Sequence, residues 1–503
     1  MLERIQSLFG FGRNRQVTHS GGMQSDSRFD DGTQPRAWDG AEHTEENSSQ
    51  WLFADGRTIN QVLMDHHETI VNRSIHEARR NPTVEGVIKS HAGDVVGDEG
   101  PGLQMLSDDD AWNDQAESIW KEFSDSIDSS GKLSIGEWLR QDIYQSWVTG
   151  DMICQLVEPT GLHTPIKFRV HPISGQRLKS PYTRVESDIM LGIQRDRFNR
   201  PLFYYFEDEI RSEYGYQKHD IKPIRARDIL HFFEELEPGQ VRGWPRLASC
   251  LQAISDLREY DNAVLDAAKV QAMMHVIMST TSDMVEPEES PAAVKLKRMG
   301  VTRAPVGWNM NALQTSQPNS NNTEFRNERI RELGRASAMP LMQIRLDSSG
   351  HNYSSARFDG QNYQKACRII QGSIGRHRVR PIVNLVMVEA MMTGILRPKI
   401  ITKDMVNFRW PQPPHVDPVK EAMAERIRLE NRTLSPQMAA ASHNLDFDKI
   451  CHEWRIANDI LKKNGMPELL GGIPTDLNAL KNFLSLDDAG ADENEKPNPQ
   501  TAA

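Results

Sequence analysis

The 503-residue sequence predicts an α+β protein, and three patterns carry that expectation. Apolar residues recur at helical spacing from about 57 to 150 and again beyond 244. Between 165 and 234 the period shortens, and brief β-branched or aromatic runs alternate with turn residues. A short charged insertion then separates two further helical segments. A chain of this length is expected to form roughly two to four domains and has ample residues for a sizeable core.

Residues 1–54 are rich in Gly, Ser, Asn, Asp and Gln, with little periodicity, and are expected to form a flexible tail. The run INQVLMDHHETIVNRSIHEARRNPTVEGVIKSHAGDVVG predicts two helices, broken at Asn81 and Pro82. Helices follow near 110–124, with Trp112, Ile119, Trp120 and Phe123, and near 134–150, with Ile135, Trp138, Leu139, Ile143 and Trp147. The runs IKFRV, IMLGIQR, LFYYF and ILHFF then predict a strand-rich meander over 165–234, so 55–243 reads as one α+β domain.

Gly243 ends the strand region and Pro245 can open a helix of about 30 residues over 244–274. Leu247, Leu251, Ile254, Leu257, Val264, Leu265 and Ala268 form its apolar stripe. Residues 275–322 read as a small insertion, with a strand at HVIMS, an acidic EPEESP segment and a basic KLKRMG segment. A charged helix at 323–339 follows, where Glu328 with Arg331 and Glu332 with Arg335 stand three apart. Pro340 ends it.

Ser348, Ser349, Gly350, Asn352, Ser354 and Ser355 favour turns, so 340–356 is expected to be a mobile loop. The segment 357–410 opens as a basic helix carrying Lys365, Arg368, Arg376, His377, Arg378 and Arg380. It ends apolar with Ile382, Val383, Val386 and Met387, is expected to kink at Pro381, and continues as the extended stretch VNFRWPQPPHVDP. Residues 411–485 read as helical, with segments opening at Asp417-Pro418 and near 435–442 and 446–464. The acidic end, 486–503, is expected to be disordered.

The net charge of −11 argues against a free DNA-binding module, which needs a basic excess to neutralise phosphates. Cys154, Cys250, Cys367 and Cys451 are far apart, which points to a reducing compartment. No apolar run reaches membrane-spanning length, so a soluble intracellular chain is expected. The stretch SIDSSGKLSIGE at 126–137 approaches a calcium loop but has Ser126 where Asp is wanted; it reads as a capped loop leading into the Trp138 helix. Asp65, His66, His67 and Glu68 are adjacent on a helix and cannot converge on one ion, so they read as a solvated face. There is no GxxxxGK[ST], GxSxG or HExxH. No catalytic residue, metal site or cofactor is expected. For the cluster 365–380, ion pairing within or between chains and contact with phosphate both stay open.

PGQVRGWP at 238–245, IRELGRASAMP, NYSSAR at 352–357 and DPVKE at 417–421, in that order and around a small insertion, resemble the phage portal proteins of the lambda type over roughly 80–480. The resemblance implies a ring, usually of twelve copies, at one vertex of an icosahedral head. It implies a portal-type fold: an α/β wing at 55–243, a stem helix at 244–274, a clip at 275–322 and a second stem helix at 323–339. A tunnel loop would span 340–356, a long helix and return to the wing 357–410, and a helical crown region 411–485. The tunnel loop would bring Arg345, Asp347, Ser348, Ser349, His351, Asn352, Tyr353 and Arg357 to a channel for double-stranded DNA. The clip would offer Glu286, Glu288, Glu289, Lys295, Lys297 and Arg298 to the terminase large subunit and later to a head-completion or tail adaptor. Further partners would be the major capsid and scaffold proteins, with no membrane; the location would be the virion, after assembly in the host cytoplasm. The competing classes are a metal-dependent nucleic-acid-processing enzyme and another ring-forming neck or tail connector.

Overall fold

The computed structural model describes residues 56–162, 164–181, 188–208, 221–272, 276–279, 309–312, 322–350, 352–411, 418–442, 445 and 447–464. The chain divides at Arg57/Thr58, and the elements below belong to the unit that starts at Thr58. It opens with α1 (Ile59–Arg80) and α2 (Pro82–Val96). The break falls at Asn81, as expected: its side-chain oxygen accepts from the Thr83 and Val84 amides at 3.1 and 3.4 Å, and Pro82 starts the next turn without a donor to satisfy. Strand β1 (Gly102–Met105), α3 (Asp110–Ser124) and α4 (Ile135–Val148) follow. Ser134 and Glu137 form a reciprocal capping box at the start of α4.

The loop before α4 folds on itself. The Asp128 carboxylate accepts from the amides of Ser130, Lys132 and Leu133 at 3.0, 2.7 and 2.8 Å and from the Ser130 hydroxyl. Its oxygens are therefore occupied by the loop's own donors, which supports the capped-loop reading.

Strands β2 (Met152–Val157), β3 (Arg169–Ile173) and, later, β8 (Ile229–Phe232) make a three-stranded sheet with β2 in the middle. β4 (Ile189–Met190), β5 (Ile193–Arg195), β6 (Pro201–Glu207) and β7 (Ile221–Arg225) form a four-stranded antiparallel sheet. The meander at 165–234 is thus present, but its sheet extends back to β2, whose run MICQLV carries no alternation to mark it. Ile153, Ile173, Leu178, Ile193, Tyr204, Phe206, Ile229 and Val241 close a small core between the two sheets.

A 3-10 turn at Arg246–Cys250 leads into α5 (Leu251–Ala272), which is shorter than the single helix expected from 244. β9 (Val276–Ser279) pairs antiparallel with β10 (Asn309–Ala312), so the described part of the insertion is a two-stranded ladder. α6 (Asn322–Arg335) returns beside α5, with the Tyr260 and Phe325 rings 4.5 Å apart and Arg326 3.4 Å from Asp261. Glu328 pairs with Arg331 as expected; Glu332 pairs with Arg329 at 3.0 Å rather than with Arg335.

α7 (Leu341–Arg345) and α8 (Tyr353–Ile374) flank a short loop. A π-helical turn at Gly375–Val379 joins α8 to α9 (Arg380–Met392). Pro381 lacks an N–H and would clash with the carbonyl four residues earlier, so the helix accommodates it by widening one turn just ahead. The expected kink therefore takes the form of a π turn. The stretch after α9 is not simply extended: β11 (Val406–Arg409) pairs antiparallel with β1, Gly102 opposite Arg409. Helices α10 (Pro418–Glu430), α11 (Pro436–Ser442) and α12 (Phe447–Lys463) complete the described chain.

The main core joins α2, α3, α4 and α9. Trp112, Trp138 and Trp147 are fully buried there with Ile382, Val383, Val386 and Met387. Each such side chain contributes about 1.5–3 kcal/mol relative to exposure, so this core dominates the fold energy. Among the described residues no helix is long and apolar enough to cross a membrane.

Candidate functional site

The loop singled out by its Gly and Ser content is shorter than expected. Residues 341–345 are helical and Tyr353 already begins α8, leaving 346–352 between them. Two features explain the trimming. Pro340 sits at the N-cap with φ near −72°, suited to opening a helix. Asn352 caps α8, its side chain accepting from the Ser355 amide at 2.9 Å.

Leu346 takes the left-handed conformation at φ 50° and ends α7 with its side chain 79% exposed. Next, Asp347 orders the turn by accepting from the Ser349 amide at 3.0 Å and hydroxyl at 2.6 Å. Arg345 donates to Asn327 on α6 at 2.8 Å and lies 3.6 Å from Asp347. Arg345 and Asp347 are thus engaged in shaping the loop and largely cancel each other's charge. Ser348, Ser349, Gly350, Asn352 and Arg357 are exposed, so the loop offers hydroxyls and amides with one flanking cation. His351 and the Tyr353 side chain lie outside the described residues, as do Glu286, Glu288, Glu289, Lys295, Lys297 and Arg298.

Both flanks of the loop rest on the same body. Behind α7, a Cβ at Gly334 would overlap the Ile344 side chain and sit 2.5 Å from the Met339 carbonyl, so only glycine lets α6 and α7 meet this closely. Along α8, Tyr363 donates to Asp94 and Gln371 to the Val95 carbonyl, each at 2.9 Å, tying the helix to α2. Near the end of the continuing α9, Glu389 accepts from the Lys167 and Phe168 amides at 2.7 and 3.2 Å.

Contacts divide the basic cluster 365–380. Arg378 is fully buried, donates to Asp142 at 2.8 Å and to the Leu230 carbonyl at 2.7 Å, and lies over Trp138. Arg380 donates to the Val406 carbonyl, and His377 stacks on Phe232 at 5.1 Å. These three serve the fold. Lys365, Arg368 and Arg376 are exposed.

A second buried ionic node ties the sheets to the segment that leads into α5. Asp151 accepts from Arg242 at 2.9 and 2.7 Å, from the Gly243 amide at 2.7 Å and from His231 at 2.9 Å. Burial alone would raise this carboxyl, but the Arg242 guanidinium and the His231 hydrogen bond outweigh it and hold it below the ordinary carboxylate range. Gly150 and Gly243 meet back to back, and a Cβ at Gly243 would overlap the Gly150 carbonyl. The motif PGQVRGWP contains Arg242 and Gly243, but Asp151 lies far upstream and no pattern marked it as their partner. His67 is another correction: it is buried beside this node, not on a solvated face, and burial followed by the charge of Arg242 lowers its pKa to about 3.

The family model described as phage portal protein, lambda family, matches residues 45–371. Portal protein B of Escherichia phage lambda is 22% identical over 183 residues, covering 34% of this chain and 34% of that relative. The chain thus matches about a third of that relative's length. Among solved structures, the neck of an empty gene transfer agent particle computed with C6 symmetry is similar at a TM-score of 0.41 and 14% identity, covering 78% of this chain and 94% of that one. An HK97 family phage portal protein from Corynebacterium diphtheriae is similar at a TM-score of 0.30 and 11% identity, over 56% of this chain and 82% of that one. Because the family model covers well over half of the sequence, the chain belongs to the lambda family of phage portal proteins.

Proposed function

We propose that this chain assembles into a ring, of about twelve copies, at one vertex of a phage head and forms the channel through which double-stranded DNA is packaged and later ejected. Family membership supports the reading. The structural observation behind it is the short polar loop 346–352, held between α7 and α8 while both helices are braced on one core. In a closed cyclic assembly each subunit sets the same loop on the same axis, so one segment becomes a collar. Duplex DNA is a uniform line of negative charge, and a channel that gripped phosphates strongly would stall it. Hydroxyls, amides and a self-neutralised Arg345–Asp347 pair suit sliding better than gripping.

In this assignment α5 and α6 are the stem and the β9–β10 insertion is the clip, with Glu286, Glu288, Glu289, Lys295, Lys297 and Arg298 offered to terminase and then to an adaptor. The role is that of a conduit and docking platform in the virion, without turnover. Single-particle electron microscopy of the purified full chain tests it. A ring with an axial channel wide enough for duplex DNA is expected; a monomer or open oligomer that persists at high concentration overturns the reading.

A further inference from the structure

The exposed part of the basic cluster is not scattered. Arg357, Gln361, Lys365, Arg368, Gly372 and Arg376 are all exposed, and their spacing places them within an arc of about 100° on α8 and its first continuing turn. Four cations therefore line one face over roughly 28 Å. Asp359, the acid of this helix, points to the opposite side by its spacing.

α5 carries the counterpart. Gln252, Asp256, Glu259, Ala263 and Asp266 are exposed on a single face, three carboxylates spread over roughly 15 Å. Asp256 accepts from Gln252, and Asp266 is paired with Lys269 at the edge. Within one chain each face is exposed, so neither covers the other. Two different, complementary faces on one subunit are what a head-to-tail interface requires, and such an interface closes into a ring when its rotation closes.

We infer that the basic face of α8 docks on the acidic face of α5 of a second copy of this chain, and that this contact joins neighbouring subunits. The inference rests on the ring assignment above and names its surfaces. A duplex is the other polyanion that could seat on the basic face. The border of that face favours protein instead: Phe358 and Ile369, each 64% exposed, flank the cations and would be covered by a protein partner, whereas a phosphate backbone offers them no apolar surface.

The test uses two full-length variants. One carries Lys365→Glu, Arg368→Glu and Arg376→Glu; the other carries Asp256→Lys, Glu259→Lys and Asp266→Lys. Far-UV circular dichroism of each should match the parent, since all six side chains are exposed within one chain. Alone, each variant faces like with like, and the ring fraction by mass photometry at low salt should drop at least tenfold. Mixed in equal amounts they should assemble again, because an alternating ring pairs every reversed face with its reversed complement. Rings formed normally by either variant alone would overturn the inference while leaving the ring assignment standing; a loss of DNA binding by such rings would hand the basic face to nucleic acid. Loss of rings without rescue on mixing also overturns it. A parent chain that forms no ring overturns both readings.

Discussion

The two halves of the long helix that starts at Tyr353 show how little a run of like charges says about its own role. In α9 and the π turn before it, Arg378 is fully buried against Asp142 and Trp138, and Ile382, Val383, Val386 and Met387 around it are sealed from solvent. In α8, Lys365 and Arg368 are exposed on a helix whose other face holds Tyr363 and Cys367 in the core. Arg376 and Arg378 are two residues apart and have opposite fates. The π turn separates them by about half a turn, and the body they lie on does the rest.

The largest test of that contrast is Arg378→Met. It strands the buried Asp142 carboxylate without its partner, which is expected to cost about 3–5 kcal/mol and to lower the melting temperature sharply. Arg378→Met together with Asp142→Leu should recover much of that loss, because a well-packed apolar pair avoids the desolvation of two charges. If the single and double variants melt alike, the ionic pair is not what secures this half of the helix.

Acid probes the same core from another side. Burial holds His67 and His91 at about 3, helped by Arg242 and Arg246 respectively, against an ordinary value of 6.5. Trp147 donates to the His91 ring at 3.0 Å, which needs the neutral form. Below pH 6.5 the unfolded chain takes up protons that the folded chain refuses. Stability should therefore fall as pH drops from 6.5 toward 3, by an amount on the order of several kcal/mol, read by urea titrations at stepped pH. A flat profile across that window would show that the two rings are not buried neutral groups.

The remaining changes act at the loop end. Gly334→Ala pushes a methyl into Ile344 and should cost about 1–3 kcal/mol, with its effect concentrated on proteolysis of 341–352. Leu346→Asn relieves a left-handed leucine and should stabilise by about 1 kcal/mol in the isolated chain. Smallest of all, Arg376→Met should shift stability by less than about 0.5 kcal/mol, since its side chain is exposed. An effect comparable to that of Arg378→Met would erase the distinction between the two halves.

Much of the fold was legible in the sequence. The Asn81-Pro82 break, the tryptophan helices, the α6 ion pair of Glu328 with Arg331 and the helical segments beyond 417 follow from caps, periodicity and i,i+3 spacing, all of which are local. The loop was legible in its composition but not in its extent. Pro340 reads as a stop, yet it also opens α7, and only the chain's path decides which role it takes. Strand β2 and the β1–β11 pair escaped because a short apolar run or an extended Pro-rich link carries no mark of the strand it will meet far along the chain.

By itself the sequence determined the order of helices, sheets and insertion, the polar character of the loop and the family to which the chain belongs, since each is written in neighbouring residues or in their order. Tertiary structure alone decided that Asp151 would meet Arg242, that His67 would lose its water, and that of the clustered arginines one would be sealed in the core while others faced outward. Burial and long-range pairing depend on what packs against a residue, and that partner can lie ninety positions away.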